Sequence, residues 1–274
     1  MPDRPTVAVS TWVLHDLLGR PNLTRPADGD AASVAAEPPR LTHHEAFRQL
    51  REIGIDRVEL CHFHLTDLSP AGLTDVRDAL VETGVGLSSL LIDTGDVTGA
   101  ADPDGELGWI ERWIDRAAAL GAACCRVSAG HAPPTADSAA RAADAFGRLA
   151  DHAAARGVRL ATENWHAFAD TPQSVLGLLD ALGGRLGLCL DFKNWDGRLE
   201  DLSLLAPWAT SCHVPVLADA DGEPLNPFAD AALAVVHGHG FDGTYTLVSS
   251  TDPQDPWPSL GASAERVRAV TDRA

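Results

Sequence analysis

The chain has 274 residues, of which 45% are hydrophobic, and its 39 acidic and 21 basic residues give a formal net charge of -18. This length suits one α/β barrel of roughly 250 residues with a sizeable core. A surface so acidic repels phosphate backbones, which argues against nucleic acid as a partner. No apolar run approaches the roughly 20 residues of a membrane span. The first residues also lack the pattern of a secretory signal peptide, so we expect a cytoplasmic protein without a membrane partner.

A short apolar strand, a loop and an amphipathic helical segment recur eight times along the chain. The strands are predicted at 7–12, 57–63, 85–92, 124–130, 158–165, 186–192, 209–216 and 243–250. Apolar residues at three- and four-residue spacing predict helices at 44–54, 73–84, 108–121, 141–157 and 259–270. Eight such units predict an α/β fold, a closed (β/α)8 TIM barrel forming a single domain over 1–274.

One connection is unusually long. The segment 15–41 follows the first strand and is rich in Pro, Ala and Asp. Its place in the chain predicts a position over the C-terminal mouth of the barrel, where loops carry function. A lid over a site and an insertion without fixed structure both fit this composition.

Polar side chains stand at the ends of three consecutive predicted strands. Glu163 ends strand five, Asp191 ends strand six, and His213 lies on strand seven. Their alternation with apolar residues predicts that all three point into the barrel. Two carboxylates and an imidazole at one point suit a divalent metal ion, with Mn²⁺ or Mg²⁺ favoured and Zn²⁺ or Fe²⁺ compatible. The alternative is that each is a separate polar residue at a strand end.

The only lysine of the chain, Lys193, follows Asp191 by two residues. In a continued strand, residues two apart point to the same face. This predicts an inward amine beside the metal ligands, where it could exchange a proton with a substrate. The alternative is a salt bridge to Asp191 or Glu163 that takes the place of the metal.

Further polar and aromatic residues cluster at the strand ends and are candidates for substrate binding. They are Glu59, His64, Arg126, His166, Asn194, Trp12 and Trp165. The Arg126 guanidinium could bind hydroxyls or pair with Glu59, and the tryptophans could stack on a sugar or pack beneath loops. The loops after strands seven and eight are acidic and lack a glycine-rich phosphate cradle, so we expect a substrate without phosphate.

The five cysteines are Cys61, Cys124, Cys125, Cys189 and Cys212. No two of them form the CxxC spacing that is typical of a zinc site. We expect them to be free thiols, mostly buried, in a reducing compartment.

Five segments, GIDRVEL, ATENWH, LCLDFKN, SCHV and GFDGTYTLV, occur in an order that resembles the xylose isomerase-like TIM barrel superfamily, the sugar phosphate isomerase/epimerase group. The resemblance implies a metal held by Glu163, Asp191, His213 and a glutamate on strand eight. It also implies that the two glutamates act as acid and base across a sugar C–H bond. Val248 stands where the strand-eight glutamate is expected.

The missing glutamate shapes the expected function. We expect a metal-dependent isomerase- or epimerase-like enzyme that acts on a non-phosphorylated sugar, cyclitol or glycoside-derived carbonyl compound. With one base lost, dehydratase or lyase chemistry through Glu163 and Lys193 fits the sequence. The alternatives are a metal-free lyase that uses Lys193 and a sugar-binding protein without catalysis. The expected partner is a small polyhydroxylated molecule, and a homo-oligomer is compatible with the sequence.

Overall fold

Eight parallel strands close into a barrel in which each strand pairs with its neighbours in chain order and the last returns to the first. The structure is a computed structural model that describes residues 5–19 and 38–271. The strands are β1 (Thr6–Ser10), β2 (Arg57–Cys61), β3 (Gly86–Ile92), β4 (Cys124–Val127), β5 (Arg159–Glu163), β6 (Gly187–Asp191), β7 (Ala209–Val214) and β8 (Thr244–Leu247). The (β/α)8 TIM barrel predicted from the sequence is confirmed.

Helices connect the strands and cover the outside of the barrel. They are α1 (His15–Leu18), α2 (His43–Glu52), α3 (Pro70–Thr83), α4 (Pro103–Leu120), α5 (Ala136–Ala155), α6 (Pro172–Leu182), α7 (Leu199–Leu205), α8 (Pro227–Gly238) and α9 (Trp257–Thr271). Short 3-10 helices occur at Thr11–Leu14, His62–His64 and Ala206–Trp208.

Local sequence signals set the helix ends. Thr42 forms a capping box with Glu45 at the start of α2, so two backbone N–H groups that lack a partner in the helix are satisfied. Helices α3, α4 and α6 each begin with proline in the first turn and end at a glycine in the left-handed conformation, respectively Gly84, Gly121 and Gly183.

Alternate residues of each strand face opposite sides of the barrel wall. On β6, Leu188 and Leu190 are buried in the apolar layer between the strands and the helices. Cys189 and Asp191 have the opposite parity and face the barrel interior, where the packing is polar. The main core therefore lies between the sheet and the helices, and the interior remains available for a site.

Seven of the eight strands end earlier than the sequence predicted, and β3 ends at Ile92 as predicted. β1 ends at Ser10, whose hydroxyl accepts a hydrogen bond from the backbone N–H of Trp12 and caps a 3-10 helix. β6 likewise ends at Asp191. Trp12 therefore lies in a 3-10 helix and Lys193 in a turn, both beyond the strands, where the two-residue periodicity no longer decides which way a side chain points.

The segment 15–41 is partly helical, which corrects the expectation of a continuous loop. It begins with helix α1, while residues 20–37 lie outside the described part of the chain. Its two described ends meet, because the backbone N–H groups of Arg40 and Leu41 both donate to the carbonyl oxygen of Leu17. The assignment of this segment as a lid stays a prediction.

Within residues 5–19 and 38–271, none of the helices combines the length and the apolar character that a membrane crossing requires.

Gly130, just after β4, allows a stability prediction because its φ is +110° and a Cβ there would collide with Thr98. We expect Gly130→Ala to lower the free energy of unfolding by about 1–3 kcal/mol. Gly177 is the matched control, since it lies inside α6 and a Cβ added there would meet no atom within 4 Å. Gly177→Ala should raise stability by about 0.5–1 kcal/mol. Urea unfolding measures both changes, and equal effects of the two variants would contradict this prediction.

Candidate active site

A cavity opens at the C-terminal end of the barrel, the end that carries the active site in TIM-barrel enzymes. Its volume is about 190 Å³. It is lined by Ser10, Trp12, Leu91, Asp93, Arg126, Glu163, Trp165, Asp191, Lys193, Asn194, His213 and Val248. A larger cavity of about 690 Å³ opens at the opposite end. In this fold that end serves stability rather than catalysis, so we place the candidate site in the C-terminal cavity.

The orientation of His213 organises the site. Its Nε2–H donates to Glu59 Oε2 at 2.8 Å, and both side chains are buried. This bond leaves Nδ1 as the nitrogen that faces the cavity, 3.5 Å from Asp191 Oδ2 and 3.8 Å from Glu163 Oε1. Burial disfavours a charged imidazole, but Cys189, Glu59 and Glu163 outweigh it and raise the pKa of His213 well above its ordinary value. The surroundings therefore favour a positive charge at Nδ1.

The predicted convergence of three inward side chains is present in a modified form. Glu163, Cys189 and His213 form a buried group whose donor atoms all lie within 4.8 Å of one another. Asp191 is outside this compact group and approaches it through His213 Nδ1. Cys189 was not among the residues that the sequence predicted for the site. Cys189 stands two residues before Asp191 on the same strand, and this spacing, which places both side chains on one face, was the signal that could have identified it.

Asp191 is fixed by backbone hydrogen bonds. Its Oδ1 accepts from the N–H of Lys193 at 2.6 Å and from that of Asn194 at 2.9 Å. The side-chain amide of Asn164 bonds both backbone groups of Asp191. Because Oδ1 is occupied in this way, Oδ2 is the oxygen that points toward His213.

Arg126 forms the floor of the cavity and also borders the opposite cavity. It forms a buried ion pair with Asp93, and its Nε lies 3.0 Å from Glu163 Oε2. Burial alone would raise the pKa of Glu163, but Arg126 and His213 outweigh it and lower that pKa to about 2. Arg126 does not pair with Glu59, the alternative that the sequence left open, because Glu59 is held by His213 instead.

Lys193 is exposed and lines the cavity at its rim. β6 ends at Asp191, so Lys193 belongs to the following turn. The ion-pair partners of Glu163 are Arg126 and His213, and that of Asp191 is His213. Within the described residues Lys193 is not among these partners, so the predicted alternative of a lysine salt bridge is not formed.

The remaining candidates are divided between the cavity and its surroundings. Trp12, Trp165 and Asn194 line the cavity, and Asn194 Nδ2 donates to Glu163 Oε1 at 2.9 Å. His64 is buried away from it, hydrogen-bonded to His15 and Thr11. His166 lines a neighbouring recess.

His166 has an unusual backbone conformation, with φ at 64°, which is rare for a residue with a side chain. Its ring lies 4.0 Å from that of His131 and 3.9 Å from that of Trp165, measured between centroids. Burial and His131 lower the pKa of His166 to about 4, so the ring is neutral near neutral pH. The three rings form an aromatic wall beside the cavity.

The donor set fits a divalent cation. Two donors that share one metal ion stand at most about 4.6 Å apart, because metal–ligand bonds measure about 2.0–2.3 Å. The distances of 3.5 and 3.8 Å from His213 Nδ1 to the two carboxylates meet this limit. Because Nε2–H is used by Glu59, Nδ1 faces these carboxylate oxygens, an arrangement that needs a positive charge, either a proton on Nδ1 or a cation that takes its place. Glu59 behind His213 is the usual carboxylate partner of a metal-binding histidine.

A comparison with known families agrees with this arrangement of strands. The profile of the xylose isomerase-like TIM barrel family matches residues 47–252, which is most of the chain. The chain belongs to the xylose isomerase-like TIM barrel family. The family resemblance noted in the sequence is thereby confirmed.

Solved structures of this xylose isomerase-like TIM barrel type are similar over nearly the whole chain. A xylose isomerase-like TIM barrel protein from Mycobacterium smegmatis in complex with magnesium has a TM-score of 0.70 at 17% identity, over 98% of this chain and 97% of that one. D-allulose 3-epimerase from Methylomonas sp. has a TM-score of 0.70 at 18% identity, over 98% of this chain and 99% of that one.

A third structure, 3-keto-D-glucoside 4-epimerase from E. coli, has a TM-score of 0.67 at 18% identity, over 83% of this chain and 94% of that one. At these identities the likenesses establish the fold. A search of curated protein sequences found no match.

Arg126 provides a test of the buried charges. In Arg126→Met the buried carboxylates of Asp93 and Glu163 lose their guanidinium, which should cost about 3–5 kcal/mol of unfolding free energy. Without Arg126, burial should raise the pKa of Glu163, so the native state would bind a proton that the unfolded state has lost. The loss of unfolding free energy in Arg126→Met, relative to the wild-type protein, should therefore be larger near pH 8 than near pH 5. Urea unfolding at both pH values measures this, and a deficit that does not change with pH would contradict it.

Proposed function

We propose that the protein is a sugar isomerase- or epimerase-type enzyme that transfers a proton at a carbon next to a carbonyl group, with a divalent metal ion as cofactor. The observation that carries the proposal is the arrangement around His213. Glu59 holds one ring nitrogen, and the other faces carboxylates from β5 and β6 at the C-terminal mouth of the barrel. Such convergence on adjacent strands of a cavity is typical of a metal-assisted site.

The proposed metal ligands are Glu163, Asp191 and His213. When bound, the ion would polarise the carbonyl and hydroxyl oxygens of a substrate and make the neighbouring C–H group more acidic. Glu59 would fix the tautomer of His213, and Asn164 would hold Asp191 in place. The magnesium complex of the M. smegmatis protein supports a divalent ion in this fold.

Lys193 is the proposed proton-transfer residue. Glu163 Oε1 accepts a hydrogen bond from Asn194, and Oε2 lies 3.0 Å from Arg126 Nε as an ion pair without a hydrogen bond. Because the pKa of Glu163 is lowered to about 2, its carboxylate is a weak base for a substrate proton. The Lys193 side chain lines the same cavity and is exposed. Val248 contributes no acid on the β8 side, so the site offers one mobile base rather than two.

The substrate class follows from the size and charge of the cavity. Its volume of about 190 Å³ is below the roughly 300–1,000 Å³ of pockets for drug-sized ligands, which favours a molecule the size of a monosaccharide. Carboxylates line it, which disfavours phosphate. Trp12 and Trp165 offer flat apolar faces to a sugar ring. The named activities of two similar structures, on D-allulose and on a 3-keto-D-glucoside, support a free keto sugar or a keto-glycoside.

One observation favours a second candidate. Because the Lys193 amine is exposed in the cavity and is not engaged by Glu163 or Asp191, it could form a Schiff base with a carbonyl substrate without a metal. Borohydride trapping with substrate present would attach the sugar to Lys193 in this case. It would leave the protein unmodified in the proposed reaction.

Deuterium exchange tests the proposed reaction directly. The metal-loaded protein is incubated in D₂O with a panel of free ketoses and 3-keto-glycosides, and NMR follows the carbon next to the carbonyl. We expect one member of the panel to gain deuterium there, and chelation should stop the exchange. Exchange that continues at the same rate after chelation would overturn the metal requirement. No exchange with any substrate would favour a binding protein.

Asp191→Asn tests the metal site without disturbing the loop. The amide keeps an oxygen that can accept the hydrogen bonds from Lys193 and Asn194, but it loses the negative charge facing His213. We expect the affinity for Mn²⁺, measured by calorimetry, to fall at least about tenfold. Asp196→Asn removes an exposed charge nearby and is the control. Equal affinities of the two variants would rule out Asp191 as a ligand.

Lys193→Met tests the proton-transfer role. We expect kcat to fall on the order of 10²–10⁴-fold while KM changes little, because the amine acts on the transition state. Lys193→Arg is the matched variant, since it keeps the positive charge but cannot accept a proton near neutral pH. If Lys193→Arg restores turnover, the residue acts by its charge, and the assignment as a base is wrong.

A further inference from the structure

Cys189 lies beneath the candidate site, next to Glu163 and His213. It is the central residue of β6 and is 2% exposed. In the sheet it is the register partner of Glu163 on β5. It has the parity of Asp191, so its side chain faces the barrel interior rather than the helices.

The thiol is close to the two best-placed donors of the site. Cys189 Sγ, a Glu163 oxygen and a His213 nitrogen all lie within 4.8 Å of one another. Cys189 is a free thiol. It lines the cavity on the N-terminal side, so it lies just beneath the carboxylates of the C-terminal cavity.

We propose that Cys189 is a ligand of the metal ion, bonded together with Glu163 and His213, and that Asp191 completes the set from above. This inference rests on the proposed metal-dependent function. On the β8 side, the cavity is bounded by the apolar side chain of Val248, which cannot bind a cation. The thiol of β6 supplies the additional donor from the floor of the site.

A sulfur ligand changes which metals the site selects. Thiolates favour Zn²⁺, Co²⁺ and Fe²⁺, whereas sites made only of oxygen donors suit Mg²⁺ and Mn²⁺. A set of two carboxylates, one imidazole and one thiolate should therefore hold Zn²⁺ or Co²⁺ in preference to Mg²⁺. The ligand set thus gives the protein a metal preference that its carboxylates alone would not.

Cobalt absorption spectroscopy tests the proposal without measuring activity. Metal-free protein is titrated with Co²⁺, and the near-ultraviolet sulfur-to-cobalt charge-transfer band is recorded. We expect this band in the wild-type protein, and a large excess of Mg²⁺ should not remove it. In Cys189→Ser the band should be absent, and the affinity for Zn²⁺ should fall at least about tenfold.

Cys212→Ser is the matched control. Cys212 is equally buried on the adjacent strand β7, but it belongs to the apolar layer that faces the helices. This variant loses the same thiol chemistry at a site that should not touch the metal, so it should keep the band. Loss of the band in Cys212→Ser but not in Cys189→Ser would overturn the assignment.

The outcomes separate this inference from the proposed function. Co²⁺ bound with visible d–d bands but without the charge-transfer band overturns Cys189 as a ligand and leaves the metal-dependent function in place. No Co²⁺ or Zn²⁺ binding overturns both. If Cys189→Ser does not fold, X-ray absorption of the Zn²⁺-loaded wild-type protein decides, since a sulfur scatterer at about 2.3 Å supports the proposal and its absence refutes it.

Discussion

The burial of negative charge inside the barrel is the constraint on which the rest of the structure depends. Carboxylates from β2, β5 and β6 are almost fully removed from water. A buried charge without compensation costs several kcal/mol or takes up a proton. Here Arg126 compensates Glu163, and His213 compensates Glu59. These two contacts orient the remaining donor atoms toward the cavity.

The same compensation makes the site asymmetric. Glu163 accepts a hydrogen bond from Asn194 and forms an ion pair with Arg126, and its lowered pKa suits it to binding a cation rather than to taking up a proton. On the opposite side Val248 presents no polar atom. In the proposed reaction, proton transfer falls to Lys193 at the rim, which is exposed and can reach both a substrate and bulk water. This division, a rigid charged floor and a mobile rim, suits chemistry with one base.

How far the sequence predicts this site is best seen from particular residues. Glu163, Asp191 and His213 lie within or at the ends of strands, so the two-residue periodicity of the strands correctly placed all three toward the interior. The same periodicity gives no direction for Lys193, because β6 ends before it. It also left out Cys189, since a cysteine with the correct parity resembles any other buried thiol until its neighbour across the sheet is known.

The sequence by itself determined the eight strands, the helices between them and the barrel, because periodicity and helix caps are local properties. It also determined which side chains at the strand ends are polar. Only the tertiary structure decided the partners: Glu59 with His213 rather than Arg126, and Glu163 with Cys189 across the strand register. These contacts join residues from distant parts of the chain. Their geometry follows from the closure and stagger of the barrel, which no local pattern encodes.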